Sequence, residues 1–345
     1  MTERNSPHKA GNHNIVAIGA SAGGLHVLER VLGDLPSDLP AAVFAVLHLG
    51  ASSHLGEILD RKSVLPVHSA KSGMKIQSGH VYVGIPAVHM LIHDSHLLLR
   101  RGPRENFARP AIDPLFRSAA CTFGGAVIGV VLSGALNDGT AGLRAIKRCG
   151  GLAVVQDPAD AAVPSMPVSA LRSVDVDHAA PAAKLGSLIA RLVAEPAGVT
   201  QPIPADIRLE TAIAAQELAG MQAEDALGKP SRFTCPECHG TLWEMNDQSM
   251  LRFRCHVGHA YTGEAILAAQ ENETERMLWN LMRTHQERAE LARLMAGREI
   301  QAHRLELGRQ LQQRAKEYDE DAELVRRLLG DAREGLEEAT EQGDL

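Results

Sequence analysis

Short apolar runs alternate with amphipathic segments through the first half of the chain. The runs have the length of strands, and their continuous Val, Ile, Leu and Ala content favours strands that are buried on both faces. Strands are predicted at 14–20, 42–48, 81–85, 90–93, 96–100, 126–132 and 152–156. Helices are predicted at 24–32, 53–62, 113–121, 139–149 and 182–193. This alternation predicts an α/β domain over residues 14–195, a doubly wound and mostly parallel sheet with helices on both faces.

The second half of the chain has a different character. Residues 196–231 begin with a Pro- and Ala-rich stretch typical of a linker, which can include a helix at 207–218. Residues 232–262 form a compact Cys/His unit. From 263 to 340, apolar residues recur at about helical spacing. This spacing predicts two long helices, arranged as a hairpin or coiled coil and interrupted at Gly297.

The formal net charge of −7 is confined to the helical tail. From Gly263 onward there are 19 acidic and 12 basic side chains, so the rest of the 345-residue chain is neutral. Neither part carries the basic stripe that nucleic-acid binding requires. No apolar stretch approaches the roughly 18 residues that membrane insertion needs, and the polar N-terminus lacks a secretory signal. We therefore expect a cytoplasmic protein that binds no nucleic acid and is not inserted in a membrane.

A glycine-rich turn follows the first predicted strand. It reads GASAGG from Gly19 to Gly24 and contains Ser21 in the G-x-S-x-G spacing that lifts a serine above a sheet edge. The backbone N–H groups after Ser21 open a helix, where they can face an oxyanion. Such turns also bind phosphate groups, so the turn alone leaves both interpretations open.

The next strand end separates these interpretations. A dinucleotide-binding site would have a glycine in place of Ser21 and an acidic residue at the end of the second strand. That strand ends in His48 instead. Because the carboxyl ends of neighbouring parallel strands share one crevice, we expect Ser21 and His48 side by side. A histidine at a strand end can also be a packed or solvated residue.

A third polar residue, Asp138, follows the strand at 126–132. At the start of a helix an aspartate is commonly an N-cap, which contributes about 1 kcal/mol. The coincidence of a serine, a histidine and an aspartate at three strand ends favours acyl transfer. Ser21 would be the nucleophile, His48 its base and Asp138 the residue that orients the base. The order Ser, His, Asp differs from that of α/β-hydrolases, so their fold is not implied.

These residues also carry a resemblance to a known family. The segments VAIGASAGG, VLHLG and VVLSGALNDGTAG, with RPAIDPLF, QDP and PSMP, resemble the catalytic segments of chemotaxis protein-glutamate methylesterases. The resemblance covers residues 14 to about 195. It implies hydrolysis of glutamyl methyl esters on methyl-accepting chemoreceptor-type proteins, without a catalytic cofactor. Glutamine deamidation is a second activity of some relatives. The implied triad is Ser21, His48 and Asp138.

Several positions depart from the family's pattern. Members often have methionine three residues before the aspartate and threonine after the serine, where this chain has Ala135 and Ala22. Both remain candidates for binding the oxyanion, because a backbone N–H survives a change of side chain. Arg109 is a candidate substrate contact or else part of a surface ion pair. Only about 14 residues precede the first strand, so we expect no receiver domain and no phosphorylation switch within this chain.

The Cys/His unit has the spacing of a zinc ribbon. A C-x-x-C turn is separated by sixteen residues from a second cluster, CHVGH. Two knuckles on either side of a hairpin at 242–253 predict a closed, structural Zn²⁺ site. His256 is an alternative fourth ligand. His259 is favoured because the three residues between Cys255 and His259 form a loop long enough for both of these side chains to point at one metal ion. The predicted ligands are Cys235, Cys238, Cys255 and His259.

Two functions from different classes remain open. The complete set of serine, histidine and aspartate favours a methylesterase in chemotaxis or related signal transduction. The expected lack of a receiver domain and the presence of Ala135 leave open a non-catalytic signalling adaptor that keeps the fold. The acidic helical tail is either a solvated hairpin, an oligomerisation seam or a docking surface. Its partners would be the receptor complex, a kinase or a methyltransferase.

Overall fold

The computed structural model describes residues 12–48, 54–217, 226–247 and 249–341, with side chains through residue 330. The predicted helices that include Ser53 and Leu218 therefore extend outside the described residues. The chain divides into two compact units, Met1–Ile266 and Leu267–Leu345.

A parallel sheet forms the centre of the first unit. The strands of this part are β1 (Ile15–Ala20), β2 (Ala42–Leu47), β3 (Val67–Ser69), β4 (Val81–Val83), β5 (His89–His93), β6 (His96–Arg100), β7 (Val127–Val131), β8 (Leu152–Gln156) and β9 (His178–Ala180). In the described part of the chain, seven of them form one parallel sheet in the order β3-β4-β2-β1-β7-β8-β9. β5 and β6 form a separate antiparallel hairpin. The predicted doubly wound sheet is confirmed.

Helices cover both faces of this sheet. They are α1 (Gly24–Gly33), α2 (Leu55–Asp60), α3 (Ile112–Phe123), α4 (Thr140–Arg148), α5 (Ser165–Ser173), α6 (Ala182–Ala194) and α7 (Ala205–Ala214). One core contains Phe44 and Phe116 under α3, α4, α5 and α7, and the other contains Leu28 and Ile189 under α1, α2 and α6. Every residue of β1, β2 and β7 is buried, which explains their continuous apolar sequences.

Some short elements are absent from the sequence prediction. β3 and β9 have three residues each, too few to show a periodic pattern. α5 contains Pro167 in its first turn, where proline is tolerated but the local sequence no longer favours a helix.

The Cys/His module, residues 228–262, is a four-stranded antiparallel sheet within the described residues. Its strands, in spatial order, are β10 (Gly228–Thr234), β11 (Thr241–Met245), β12 (Arg252–Cys255) and β13 (Ala260–Thr262). β11 and β12 form the antiparallel pair expected at 242–253. The module has a small core of its own, in which Leu242, Phe253 and Tyr261 pack beside the cysteines.

Buried charges join the Cys/His module to the parallel-sheet part. Arg254 of β12 lies 3.3 Å from Glu105 and 2.9 Å from Glu210 of α7. Arg252 lies 2.6 Å from Glu210, and Arg117 of α3 lies 2.6 Å from Glu105. These five side chains are at most 9% exposed. We call them the buried ion network; each charge is compensated by a partner, as buried charges require.

Two long helices follow, α8 (Gly263–Gln301) and α9 (Leu305–Glu341). Within the second unit they run antiparallel, with His285 beside Tyr318 and Ile300 beside Gly308. The prediction of long helices is confirmed, but the predicted interruption at Gly297 is wrong. A single glycine costs only about 1 kcal/mol in a helix, and the chain turns instead at 302–304, where His303 has φ of 60°.

Candidate active site and metal centre

Ser21 and His48 lie at adjacent positions on the carboxyl edge of the parallel sheet. Ala20 and Leu47, the last residues of β1 and β2, are paired in register. Ser21 and His48 follow them directly, and the N–H of His48 donates to the carbonyl of Ala20 over 3.1 Å. The structure thus brings these two sequence-predicted residues to one crevice.

Ser133, two residues after the end of β7, supports the turn that carries Ser21. Its carbonyl accepts the N–H of Ser21 over 2.9 Å, and its Oγ donates to the carbonyl of Ala22 over 2.8 Å. Gly23 has φ of 72°, and a Cβ there would lie 2.9 Å from this Oγ. Ser133 is not among the site residues predicted from the sequence. A polar residue immediately after a buried strand is the signal that would have identified it.

His48 and Asp138 form a polar pair beside the turn. Nε2 of His48 lies 2.9 Å from Oδ2 of Asp138, although not in line for an ideal hydrogen bond. The His48 side chain is 21% exposed, whereas that of Asp138 is 3% exposed. Because Nε2 faces the carboxylate, Nδ1 is the ring nitrogen that can exchange a proton with another group.

Backbone N–H groups hold the carboxylate of Asp138. Oδ2 accepts from Ile112 over 2.7 Å, and Oδ1 accepts from Gly139 over 3.0 Å and from Asp113 over 3.3 Å. Burial by itself would raise the pKa of Asp138. The contact with His48 and the N–H groups of α3 outweigh burial and lower this pKa below its ordinary value. Asp138 is therefore ionised at neutral pH.

The interpretation of Asp138 as the N-cap of the following helix is wrong. α4 begins at Thr140 after Gly139, and no side chain caps it. The carboxylate instead binds the start of α3, where unpaired N–H groups favour a negative charge.

Two further buried residues surround Asp138 and are absent from the sequence prediction. Nδ2 of Asn106 donates to Asp138 over 3.3 Å and to Asp113 over 3.2 Å. Burial and the charge of Asp138 raise the pKa of Asp113 to about 8. Of the two neighbouring carboxyls, Asp138 therefore carries the negative charge and Asp113 is largely protonated at neutral pH.

Ala22 and Ala135, the candidates for binding an oxyanion, are both exposed. Among the residues that the structure describes, nothing accepts a hydrogen bond from their backbone N–H groups. A Cβ on Gly134 would lie 2.8 Å from the Cβ of Ser21, so the residue before Ala135 touches the predicted nucleophile. Ala22 follows Ser21 directly and Ala135 follows its neighbour Gly134, so both carry unengaged N–H donors near the predicted nucleophile.

Arg109 is anchored by a backbone carbonyl. Its Nη1 donates to the carbonyl of Gly102 over 2.9 Å, and it precedes a cis peptide bond to Pro110. Pro110 packs beside Gly84 at the carboxyl end of β4. Burial and the neighbouring Arg104 lower the pKa of Arg109. Within the described residues Arg109 forms no ion pair, and no hydrogen bond joins it to the predicted triad.

The four predicted metal ligands converge in the Cys/His module. Their ligand atoms all lie within 4.8 Å of one another. The sulfurs of Cys238 and Cys255 are 3.6 Å apart, and Nδ1 of His259 lies 3.5 Å from Sγ of Cys255. Three sulfurs and one imidazole nitrogen at this spacing suit a tetrahedral metal ion such as Zn²⁺. The cluster comprises Cys235, Cys238, Cys255 and His259.

Neighbouring residues support this donor set. The hydroxyl of Tyr261 lies 3.4 Å from Sγ of Cys235, where it can donate to the thiolate form that would bind a metal ion. Nε2 of His259 lies 3.7 Å from Glu237, which orients the ring. His256 is exposed and lies beside the ring of Trp243, outside the cluster.

Comparison with known proteins identifies the parallel-sheet domain. A family model described as CheB methylesterase matches residues 16–189, half of the chain. The chain belongs to the CheB methylesterase family. The crystal structure of the Thermotoga maritima CheB methylesterase catalytic domain is similar, with a TM-score of 0.50 and 30% sequence identity. The match covers 53% of this chain and 100% of that one.

Named relatives agree with this family. A putative protein-glutamate methylesterase/protein-glutamine glutaminase of Leptospira interrogans serogroup Icterohaemorrhagiae serovar copenhageni (strain Fiocruz L1-130) is 40% identical over 185 residues, 52% of this chain and 95% of that protein. A protein-glutamate methylesterase/protein-glutamine glutaminase 2 of Methanosarcina acetivorans is 36% identical over 195 residues, 54% of this chain and 55% of that protein. The chain thus spans nearly all of the first relative and about half of the second. The predictions of this family and of a carboxylic ester hydrolase are confirmed.

A helix that crosses a membrane needs a long apolar stretch of about 20 residues. None of the helices in the described ranges combines the length and apolar character that crossing a bilayer requires.

Proposed function

We propose that this methylesterase hydrolyses glutamyl methyl esters on chemoreceptor-type proteins, with Ser21, His48 and Asp138 as its catalytic triad. The observation that carries the proposal is the 2.9 Å pair of His48 and Asp138 beside the Ser21 turn. A carboxylate that is buried and ionised can stabilise the imidazolium that forms during acyl transfer. The names of the relatives support the substrate class.

In the first step, Oγ of Ser21 attacks the ester carbonyl carbon and passes its proton to Nδ1 of His48. The backbone N–H groups of Ala22 and Ala135 donate to the oxygen that becomes negative. Asp138 stabilises the protonated imidazole. The C–O bond to the methoxy group then breaks, methanol leaves with the proton from His48, and a glutamyl ester of Ser21 remains.

In the second step, water attacks this ester while His48 takes its proton. The bond to Ser21 breaks, Ser21 regains the proton, and a glutamate side chain is released. A glutamine side chain would follow the same route, with ammonia leaving in place of methanol. We therefore propose deamidation as a second activity.

Arg109 remains a proposed substrate contact. Burial and repulsion from Arg104 and Arg101 lower the pKa of Arg109. Arg104 is paired with Glu237 over 3.1 Å, so Arg101 and Arg109 supply the net positive charge of this region. Receptor segments that are rich in carboxylates would be attracted to it.

For the Cys/His module we propose a structural Zn²⁺ ion held by Cys235, Cys238, Cys255 and His259. Four protein ligands complete a tetrahedral shell and leave no position for substrate or water. The ion would stabilise the fold of the module, and the ester chemistry would need no cofactor.

We propose that the hairpin of α8 and α9 docks a partner in the cytoplasm, such as the receptor complex, a kinase or a methyltransferase. Small residues fill the seam between the two helices, including Ala289, Ala292, Ala296, Ala315 and Ala322. Large apolar side chains remain exposed, including Leu281, Leu291, Leu294, Leu324 and Leu328. Exposed apolar surface of this kind supports binding to a protein. The proposal includes neither nucleic-acid binding nor membrane insertion.

Methanol release from methyl-esterified receptor fragments tests the catalytic proposal. We expect the wild type to release methanol, and Ser21→Ala to lower kcat by about 10³-fold or more, because the nucleophile is lost. Ser187→Ala, which removes an exposed hydroxyl on α6, is the matched control and should retain full activity. A folded wild type that releases no methanol from fragments demethylated by another family member would refute the proposal.

A further inference from the structure

Asn106 connects the predicted catalytic aspartate to the Cys/His module. Its Nδ2 donates to Asp138 over 3.3 Å, and its Oδ1 accepts the backbone N–H of Thr262 over 3.3 Å. Its own N–H donates to the carbonyl of Ala260 over 2.8 Å. Asn106 is only 8% exposed. One buried side chain therefore bridges Asp138 and strand β13.

Strand β13 is in turn attached to the metal ligands. It follows His259 directly, and the hydroxyl of Tyr261 lies 3.4 Å from Sγ of Cys235. The ring of Phe107 packs on that of Tyr261, with 4.8 Å between centroids. The ligand cluster, β13 and the Asn106 segment thus form a continuous set of contacts.

The backbone at Asn106 depends on these contacts. Asn106 and Phe107 have φ of 49° and 63°, so two consecutive residues adopt the left-handed conformation. Asparagine tolerates this conformation, but phenylalanine does not favour it. The hydrogen bond to Ala260 and the packing on Tyr261 compensate for the strain, and both belong to the Cys/His module.

The turn that carries Asp138 has a second support. Nδ2 of Asn137 donates over 2.5 Å to Glu264, which follows the Cys/His module at the start of α8. The buried ion network ties Glu105, the residue before Asn106, to Arg254 of β12. Asp138 is therefore flanked on both sides by residues whose positions depend on the module.

We propose that the Cys/His module positions Asp138 through Asn106, so that the metal content of the module determines the rate of ester hydrolysis. Asn106 acts through Asp138 and is a positioning residue. The inference rests on the proposed function of the triad. The module would then affect the reaction, although its metal ion would have four protein ligands and no position for substrate.

Two variants at one position separate the two contacts of Asn106. Asn106→Gly keeps the left-handed backbone and removes both side-chain bonds. Asn106→Asp keeps an acceptor for Thr262 but places a carboxylate opposite Asp138. We expect both variants to lower kcat about tenfold or more with little change in KM, because they disturb the orientation of the base and not substrate binding. Arg191→Gln is the control, since it removes only an exposed contact with Glu195 at the end of α6 and should leave kcat unchanged.

Removal of the metal provides an independent measurement. A chelator should lower kcat of the wild type towards that of Asn106→Gly, and added Zn²⁺ should restore it. The chelator should have little further effect on kcat of Asn106→Gly. In protein labelled at histidine, the NMR signals of the His48 ring should shift on metal removal in the wild type and stay constant in Asn106→Gly.

Two results would overturn the coupling, and a third separates its failure from failure of the proposed function. Unchanged kcat and unchanged His48 signals after metal removal from a folded wild type would overturn the coupling. Wild-type kcat in metal-loaded Asn106→Asp would overturn it as well, even if the metal-free protein unfolds. If the wild type releases no methanol, the proposed function fails, and the His48 signals still test whether metal content reaches the triad.

Discussion

At the scale of single residues, the two buried carboxyls of the site differ in charge because their neighbours differ. Asp138 faces His48 and the N–H groups at the start of α3, which favour its ionised form. Asp113 faces the negative charge of Asp138 in a buried position, which favours its neutral form. Two like charges that share a buried donor, Nδ2 of Asn106, repel each other strongly without water between them, so one carboxyl keeps its proton.

This difference predicts a pH-dependent stability. The pKa of Asp113 rises from 3.8 to about 8 on folding, so the folded state binds more protons than the unfolded state between these values. The stability that the neutral carboxyl provides is complete below pH 4 and is lost as the pH rises through 8. Asp113→Asn removes the titrating carboxyl and therefore this loss. The free energy of unfolding of the variant should rise relative to that of the wild type by up to about 1.4 kcal/mol for each pH unit between about 4 and 8.

Urea unfolding of both proteins at pH 6.0 and 7.5 measures the effect. Asp38→Asn changes an exposed carboxyl and should show no such pH-dependent gain. If Asp113→Asn and the wild type differ by the same free energy at both pH values, the raised pKa is wrong.

Ser133 offers a second test at the residue scale. Ser133→Ala removes the bond to the carbonyl of Ala22, so the turn that holds Ser21 should loosen and kcat should fall about tenfold. Ser118→Ala is a matched control, because Ser118 is equally buried and its Oγ also binds backbone groups, but on α3 beside Ile92. Both variants should lose about 1–3 kcal/mol of stability, and only Ser133→Ala should lose activity. Equal kcat values would contradict the support assigned to Ser133.

At the scale of elements, α3 connects the parts of the first unit. Its first N–H groups bind Asp138, and Arg117 in its middle belongs to the buried ion network. The same helix packs against β5, α4 and α7. We therefore expect a change in how the Cys/His module meets α3 to reach the helix end that holds Asp138.

The buried ion network predicts a large stability effect. Glu210→Gln leaves Arg252 and Arg254 short of a carboxylate, and we expect a loss of about 3–5 kcal/mol in the free energy of unfolding. Arg30→Gln breaks an exposed pair with Asp34 and should cost less than about 1 kcal/mol. Denaturant unfolding measures both. A loss in Glu210→Gln no greater than in Arg30→Gln would show that the network contributes little.

At the scale of the whole molecule, the Cys/His module belongs to the same compact unit as the parallel sheet. Its sheet shares buried ion pairs and backbone hydrogen bonds with that part. Metal binding in the module should therefore stabilise the whole first unit, because an ion that binds only the folded state stabilises all that folds with it.

Measurements of zinc content and of denaturant unfolding together test whether metal binding stabilises the first unit. The wild type should contain about one Zn²⁺ per chain, and Cys235→Ser should lose it and unfold at lower denaturant concentration. Cys121→Ser changes a cysteine that contacts Thr211 away from the ligand cluster, so its metal content should not change. A wild type that is folded and free of zinc would refute the metal proposal.

The sequence by itself determined the long buried strands, the helices between them and the residues at the strand ends. Continuous apolar runs arise from strands buried on both faces, so β1, β2 and β7 could be predicted from them. Polar and glycine-rich segments mark the ends of these strands, so the positions of Ser21, His48 and Asp138 could be predicted as well. The C-x-x-C spacing likewise predicted which side chains converge in the Cys/His module.

Only the tertiary structure decided the charge of each carboxyl, the partner of each residue and the place of the module. Asn106, Asp113 and Ser133 acquire their contacts from segments distant in sequence, and three-residue strands such as β3 and β9 form only where a neighbouring strand pairs with them. Contacts of this kind leave no periodic pattern in the chain, because each depends on burial against a segment that local sequence does not specify.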